Sequence, residues 1–301
     1  MYKDLYGLDE QGFGGGDVGN RRGYTLENEN DHLWMRNKLE DFEYHLDRIK
    51  KKEAYELACL HCPDEIHSPT FLRKFLRAEL YDAKLAARRY VRFWDMSFEL
   101  WGERGFKTKI TQEDFSEEDM ESLKSGGLRL LRGKDRAGRA LVWNRTADFK
   151  FIHPKNMLRA LWYQLMIASD DEEVQHKGWV VIAYARGYLS AGQGPGYFQR
   201  DLMNTVTKLG FHVLPVRAVA LHHCFDRDVK FFNRTVVPLL FVWLGKKGLQ
   251  KYQRHSGSHE DILFALMTYG IRPESIPMDT MGNTVFDEHL QWIEDLRAAG
   301  R

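Results

Sequence analysis

Gly178-Trp179-Val180-Val181-Ile182-Ala183-Tyr184 is a continuous apolar run that reads as a buried strand. Working outward, Pro154 opens a helix through Leu158, Leu161, Leu165 and Ile167 before it, and Tyr197 to Leu209 reads as a helix after it. Ala218-Val219-Ala220-Leu221-His222-His223 is a second apolar strand. Upstream, Leu128 to Leu131 and Arg139 to Trp143 are short apolar runs joined by Gly-Lys-Asp-Arg-Ala-Gly, a hairpin pattern. Strand and helix alternate, which predicts an α/β fold with a mostly parallel sheet flanked by helices.

Helices precede this region. Leu39, Phe42, Leu46 and Ile49 repeat at helical spacing from Leu33, and that helix is expected to continue through Lys50-Lys51-Lys52 toward Cys62 and stop before Pro63. Ser68 and Pro69 open a short helix, Asp82 caps a longer one carrying Leu85, Ala86, Tyr90, Phe93 and Phe98, and Ser116 with Asp119 has the spacing of a capping box. Ile262, Leu263, Leu266 and Met267 mark a later helix, and Phe286 to Leu296 a last amphipathic one. The expected organisation is a mobile tail over 1–30, a helical module over 31–105, an α/β domain over 106–285 and a C-terminal helix over 286–301. Gly12-Phe13-Gly14-Gly15-Gly16 in the tail lacks the preceding strand and the closing Gly-Lys-Ser/Thr of a phosphate loop.

The chain has 301 residues, 43% hydrophobic and 13% aromatic, enough for a sizeable core. Forty-four Lys and Arg against forty-three Asp and Glu leave a formal charge of +1, so no global basic field of the kind nucleic-acid binders use is present. The opening residues do not form a secretory signal, and three cysteines fit a reducing, cytoplasmic setting. Cys59-x-x-Cys62, with His61 and His67 nearby, has one turn of helix as its simpler explanation, and of His222-His223-Cys224 only His222 and Cys224 could share a strand face. No nucleophile elbow, metalloprotease, Walker or kinase motif occurs, and Gly192-Gln193-Gly194-Pro195-Gly196 lacks the strand-to-helix context of a dinucleotide site. A non-enzymatic protein without metal or cofactor is expected.

The most apolar stretch runs from Val229 to Leu244. Phe232, Val236, Leu239, Leu240 and Trp243 form one helical stripe, and Val237, Phe241 and Leu244 widen it until little of the surface is polar. It is too short to span a bilayer, which needs about 20 apolar residues. Arg227, Lys230 and Arg234 precede it, and Lys246, Lys247, Lys251 and Arg254 follow. An apolar helix between basic clusters suits either a core helix with solvated ends or a segment that meets anionic lipid. Pro238 removes one helical hydrogen bond and gives the segment a place to bend.

In order and spacing the motifs from about Ser68 to Asn283 resemble the CRAL-TRIO lipid-binding family. They are Phe71-Leu72-Arg73-Lys74-Phe75-Leu76-Arg77-Ala78 with Tyr81-Asp82, then Asp135-Arg136-Ala137-Gly138-Arg139, the strand at 178–184, Leu214-Pro215-Val216-Arg217, the apolar helix, His255-Ser256-Gly257-Ser258, and Ile276-Pro277 with Gly282. Departures include Tyr184 in place of Asp, His223 in place of Asn, Ala140 in place of the hairpin proline, and Val216 where phosphatidylinositol-binding members carry an acid. The resemblance implies an apolar cavity whose floor would be Val180, Ile182, Tyr184, Val219, Leu221 and His223, with Arg217 and Lys251 as cations for a headgroup. Each cation is also readable as an ordinary surface or sheet-end group. Phe231, Phe232, Val236, Leu240, Phe241 and Trp243 would form a mobile gate. Each buried CH₂ of an acyl chain is worth roughly 0.8 kcal/mol, so a carrier needs a comparably apolar cavity and a movable wall. The expected function is binding of a phospholipid, phosphatidylinositol among the candidates, or of another hydrophobic molecule, and its exchange with membranes by a cytoplasmic, peripherally associated protein. A lipid-sensing adaptor of the same fold that does not transfer, and that holds a protein partner, is the rival reading.

Overall fold

Residues 29–107, 109–145, 153–185, 205–206, 208–225, 251–279 and 283–301 are described in the computed structural model. The segment Val229–Leu244 with its six gate positions, the glycine-rich stretches at 12–16 and 192–196, and all but the end of the helix expected over 197–209 lie outside them.

The helical part starts with α1 (His32–Asp47), whose N-terminal amides are met by the Asp31 carboxylate. The single helix expected from Leu33 to Cys62 is broken. The Leu46 carbonyl accepts from Ile49 N–H and from the Lys52 ammonium at 3.1 Å each, which turns the chain before α2 (Glu53–His61) and the single turn α3 (Pro63–Ile66) begin. The bend lets Phe42 and Leu46 of α1 and Tyr55 and Ala58 of α2 enter one core from different directions. A straight helix would carry the second pair away from it.

α4 (Pro69–Ala78) follows Ser68, which sits at the cap position but makes no side-chain capping bond. Asp82 does cap α5 (Ala83–Trp101), accepting from Leu85 N–H at 2.9 Å. Phe71, Phe75, Tyr90, Phe93 and Trp94 pack mostly edge to face, with ring centroids 4.9–6.2 Å apart. Phe98 is the exception to the predicted stripe: it is exposed and stacks on Phe106.

After the capping box of α6 (Glu117–Ser125), β1 (Leu128–Lys134) and β2 (Ala140–Asn144) form the expected antiparallel hairpin. Its turn is held by buried Asp135, which accepts from the Ala137 and Arg139 amides and pairs with the Arg139 guanidinium at 3.2 Å. α7 (Pro154–Ala168) and α8 (Glu172–Lys177) lead to β3 (Trp179–Tyr184), and a π-helical turn at Leu209–Val213 precedes β4 (Ala218–Phe225). β5 (Tyr252–Ser256), α9 (His259–Thr268) and α10 (Asp287–Ala298) complete the described elements. The five strands lie in the order β1-β2-β3-β4-β5, with β2 to β5 mutually parallel. β5 escaped the sequence reading because Tyr-Gln-Arg-His-Ser carries neither an apolar run nor a clean alternation.

The sheet divides two layers. α7 packs on one face, where Leu128, Ala140, Val142 and Trp179 join Leu158, Leu161 and Trp162 in a core continuous with that of α1 to α5. On the other face Leu141, Trp143, Val180, Ile182, Tyr184 and Ala220 meet Ile262 and Leu266 of α9 together with Ile271 and Ile276.

Candidate functional site

Ligands of parallel sheets bind beyond the carboxyl ends of the strands, so the site is sought where β2 to β5 end. Side chains alternate along each strand, and the registers Val181↔Leu221, Ala183↔His223, Leu221↔Tyr252 and His223↔Arg254 place these residues on one face, the α7 side. Val180, Ile182 and Tyr184 point the opposite way and are 0–1% exposed beneath α9, while Val181 and Ala183, central in the same strand, are only half-buried. On the same face Tyr252 and Asn144 are also half-buried, whereas Leu221 and His223 are buried.

This divides the residue set expected from the sequence. Val180, Ile182, Tyr184 and Val219 belong to the packed cluster under α9. Leu221 and His223 stand on the other face, with Val181, Ala183 and Tyr252, which the sequence reading did not name. Alternation alone defines two sets without saying which is covered.

Arg217 and Lys251 are each engaged near the opposite end of β4. The Lys251 ammonium donates to the Ala218 carbonyl at 2.7 Å, and the adjacent Arg217 guanidinium reaches the His176 carbonyl at 3.4 Å. Five residues separate Ala218 from His223, roughly 16 Å at about 3.3 Å per residue. Arg217 and Lys251 are therefore engaged at the start of β4, and His223 lies toward its carboxyl end.

The packed face has its own polar system. His222 Nδ1 and His255 Nε2 lie 2.8 Å apart with stacked rings, Tyr269 stands edge-on to both, and the Tyr269 hydroxyl donates to Gln253 at 3.0 Å. Tyr184 hydroxyl and His259 Nδ1 are 2.8 Å apart beside them. His222 thus pairs with a histidine of β5. No group of three or more His, Cys, Asp or Glu among the described residues is arranged to hold a metal ion, and no described helix is long and apolar enough to cross a membrane.

No protein-family model and no curated protein matches the chain. The reading of the site rests on its own chemistry.

Burial pushes His222 down to about 3, with His255 and Arg139 adding to the effect, and burial also lowers His255. Both are neutral in the folded protein near neutrality, whereas the unfolded chain protonates at the ordinary histidine value of about 6.5. The stabilisation is therefore fully present above about pH 6.5 and is lost as pH falls below it, for His222 down toward about 3, by up to about 1.4 kcal/mol per pH unit. Melting temperatures should drop steadily from pH 7.5 to 4.5, and His222→Leu with His255→Leu should flatten the slope. An unchanged slope in that double variant would remove the pair from the account.

Proposed function

We propose that the chain binds a phospholipid or another hydrophobic molecule along the α7-side face of its sheet and exchanges it with membranes. The observation that carries this reading is the contrast within β3: Val180, Ile182 and Tyr184 are sealed, while Val181 and Ala183, equally central, keep half-buried surfaces beside Leu221 and Tyr252. A half-buried apolar stripe along a central strand suits contact with an acyl chain or an apolar ring system.

Two sequence features support the same reading. The segment Val229–Leu244, apolar nearly all round and flanked by cations, leaves β4 at its carboxyl end and has the composition of a wall that meets lipid. The order of motifs resembles CRAL-TRIO proteins throughout the α/β part. A headgroup phosphate would lie at the Arg217 and Lys251 end of β4, with the apolar portion toward Leu221. The activity is one of carriage, with no bond made or broken.

Native mass spectrometry of freshly purified protein should reveal an adduct of lipid mass, identified after solvent extraction. Ala183→Trp fills the floor from the half-buried side and should abolish the adduct while leaving the fold intact. Phe232→Asp with Phe241→Asp should slow transfer between vesicles by about tenfold or more, since two charges oppose insertion into the interface. A bare protein mass after incubation with mixed liposomes, or full uptake by Ala183→Trp, would overturn the assignment. Uptake without accelerated exchange would replace the carrier by an adaptor.

A further inference from the structure

A cavity of about 300 Å³ lies on the far side of the molecule from the β3 to β5 floor, between β1 and α10. One wall is the chain at Leu131–Gly133 of β1, a second is the turn at Glu274 and Ser275, and the third is α10 with Glu288, His289 and Trp292. Gly133 is so close to the turn that a Cβ there would come within 2.8 Å of Ser275 Oγ, so the two walls are packed directly on one another.

The polar groups of this cavity are unevenly engaged. Arg129 donates to the carbonyls of Gly126 and Val285 and lies over Phe286, and Arg132 is paired with Asp295 at 2.9 Å. Glu274 and Glu288, both exposed at the rim, make no ion pair among the described residues. Glu288 and Trp292 are four residues apart on α10 and share one helical face. Trp292 is half-buried and stacks on His289, ring centroids 5.8 Å apart at 19°. His289 is 4% exposed, donates from Nε2 to the Leu123 carbonyl at 2.7 Å, and leaves Nδ1, a lone-pair acceptor, without a hydrogen-bond partner.

We propose that this cavity receives a guanidinium group, stacked on Trp292 and held between the carboxylates of Glu274 and Glu288. A planar cation is the chemistry that uses all the unengaged features together. It is attracted to an indole face, its fork of donors matches carboxylates, and its weak hydration lowers the cost of entry. The unpartnered lone pair of His289 adds negative potential to the wall. Burial, with Arg129 adding to it, holds that ring down to about 4, so it adds no further cation near neutrality to a wall whose Arg132 is paired with Asp295 and whose Arg129 is bound to main-chain carbonyls. The group could belong to a free guanidinium compound or to an arginine side chain of an extended peptide laid beside Leu131–Gly133.

Calorimetric titration of the full chain with N-acetyl-arginine amide, N-acetyl-lysine amide and the capped peptide Val-Arg-Val tests this. Saturable one-to-one binding of the arginine probes is expected, weakened about tenfold or more by Glu274→Gln with Glu288→Gln. Both substitutions are isosteric and at exposed positions, so the melting temperature should be unchanged. Tighter binding of the peptide than of the amide would identify an extended chain as the source, and equal binding a free compound. Absence of saturable heat with both arginine probes, equal binding of the lysine probe, or binding indifferent to the double substitution would overturn the proposal.

Discussion

Arg89→Met should destabilise the protein by about 3–5 kcal/mol, the cost of removing one member of a buried hydrogen-bonded ion pair. Arg89 is 4% exposed in the middle of α5, and its guanidinium pairs with Glu79 at 2.6 Å while donating to the carbonyls of Leu214 at 2.7 Å and Phe211 at 2.8 Å. It therefore joins the end of α4, the long helix α5 and the turn that feeds β4. Methionine keeps most of the aliphatic stem but leaves two carbonyls and a largely covered carboxylate without this donor. Urea unfolding midpoints check the value, and a change below about 1 kcal/mol would mean that water replaces the guanidinium at no cost. Glu79→Gln should be milder, because the neutral amide still accepts from Arg89 and its side chain is more exposed.

Gly178→Ala should be comparably damaging, for a backbone reason. Gly178 has φ near +84°, a conformation costing a residue with a Cβ roughly 1–2 kcal/mol, and the added carbon would lie 2.3 Å from the Arg217 carbonyl oxygen. That carbonyl accepts from Trp179 N–H at 3.0 Å and starts the β3–β4 ladder, while Gly178 O accepts from Ala140 at the start of β2–β3. Relief of the clash would pull apart the two central pairings at once. Gly210→Ala is the control, since a Cβ there meets nothing within 4 Å. Loss of soluble expression with Gly178→Ala beside normal expression with Gly210→Ala is the expected outcome, and similar melting temperatures for the two variants would contradict it.

What was legible in the sequence follows from which physical signal is local. The hairpin at Asp135–Arg139, the caps at Asp82, Ser116 and Asp119, and the apolar strands at Trp179–Tyr184 and Ala218–His223 declare themselves within a few residues, and each lies where the pattern places it. The break between α1 and α2 does not, because it depends on Lys52 reaching back to the Leu46 carbonyl while Ile49 turns inward. β5 is a strand because β4 offers it a ladder, not because its own side chains prefer one. Along β3 the expected floor residues Val180, Ile182 and Tyr184 lie in the packed cluster beneath α9, and a shift of one residue exchanges the two faces of a strand completely. The engagement of Lys251 with Ala218 and of Arg217 with His176 was hidden for the same reason: both are contacts between residues distant in sequence.

Gln164, fully buried on α7, accepts from the Leu130 amide at 2.8 Å and donates to the Leu128 carbonyl at 2.9 Å. One side chain thereby imitates the residue of a neighbouring strand that would otherwise complete β1. Intermolecular stacking of sheets requires a run of unsatisfied main-chain groups, and here the run is shortened from within by an amide that cannot be titrated or displaced by salt. At Leu128 and Leu130 the border of the sheet is thus closed from the interior, where surface charge and solution conditions have little hold on it.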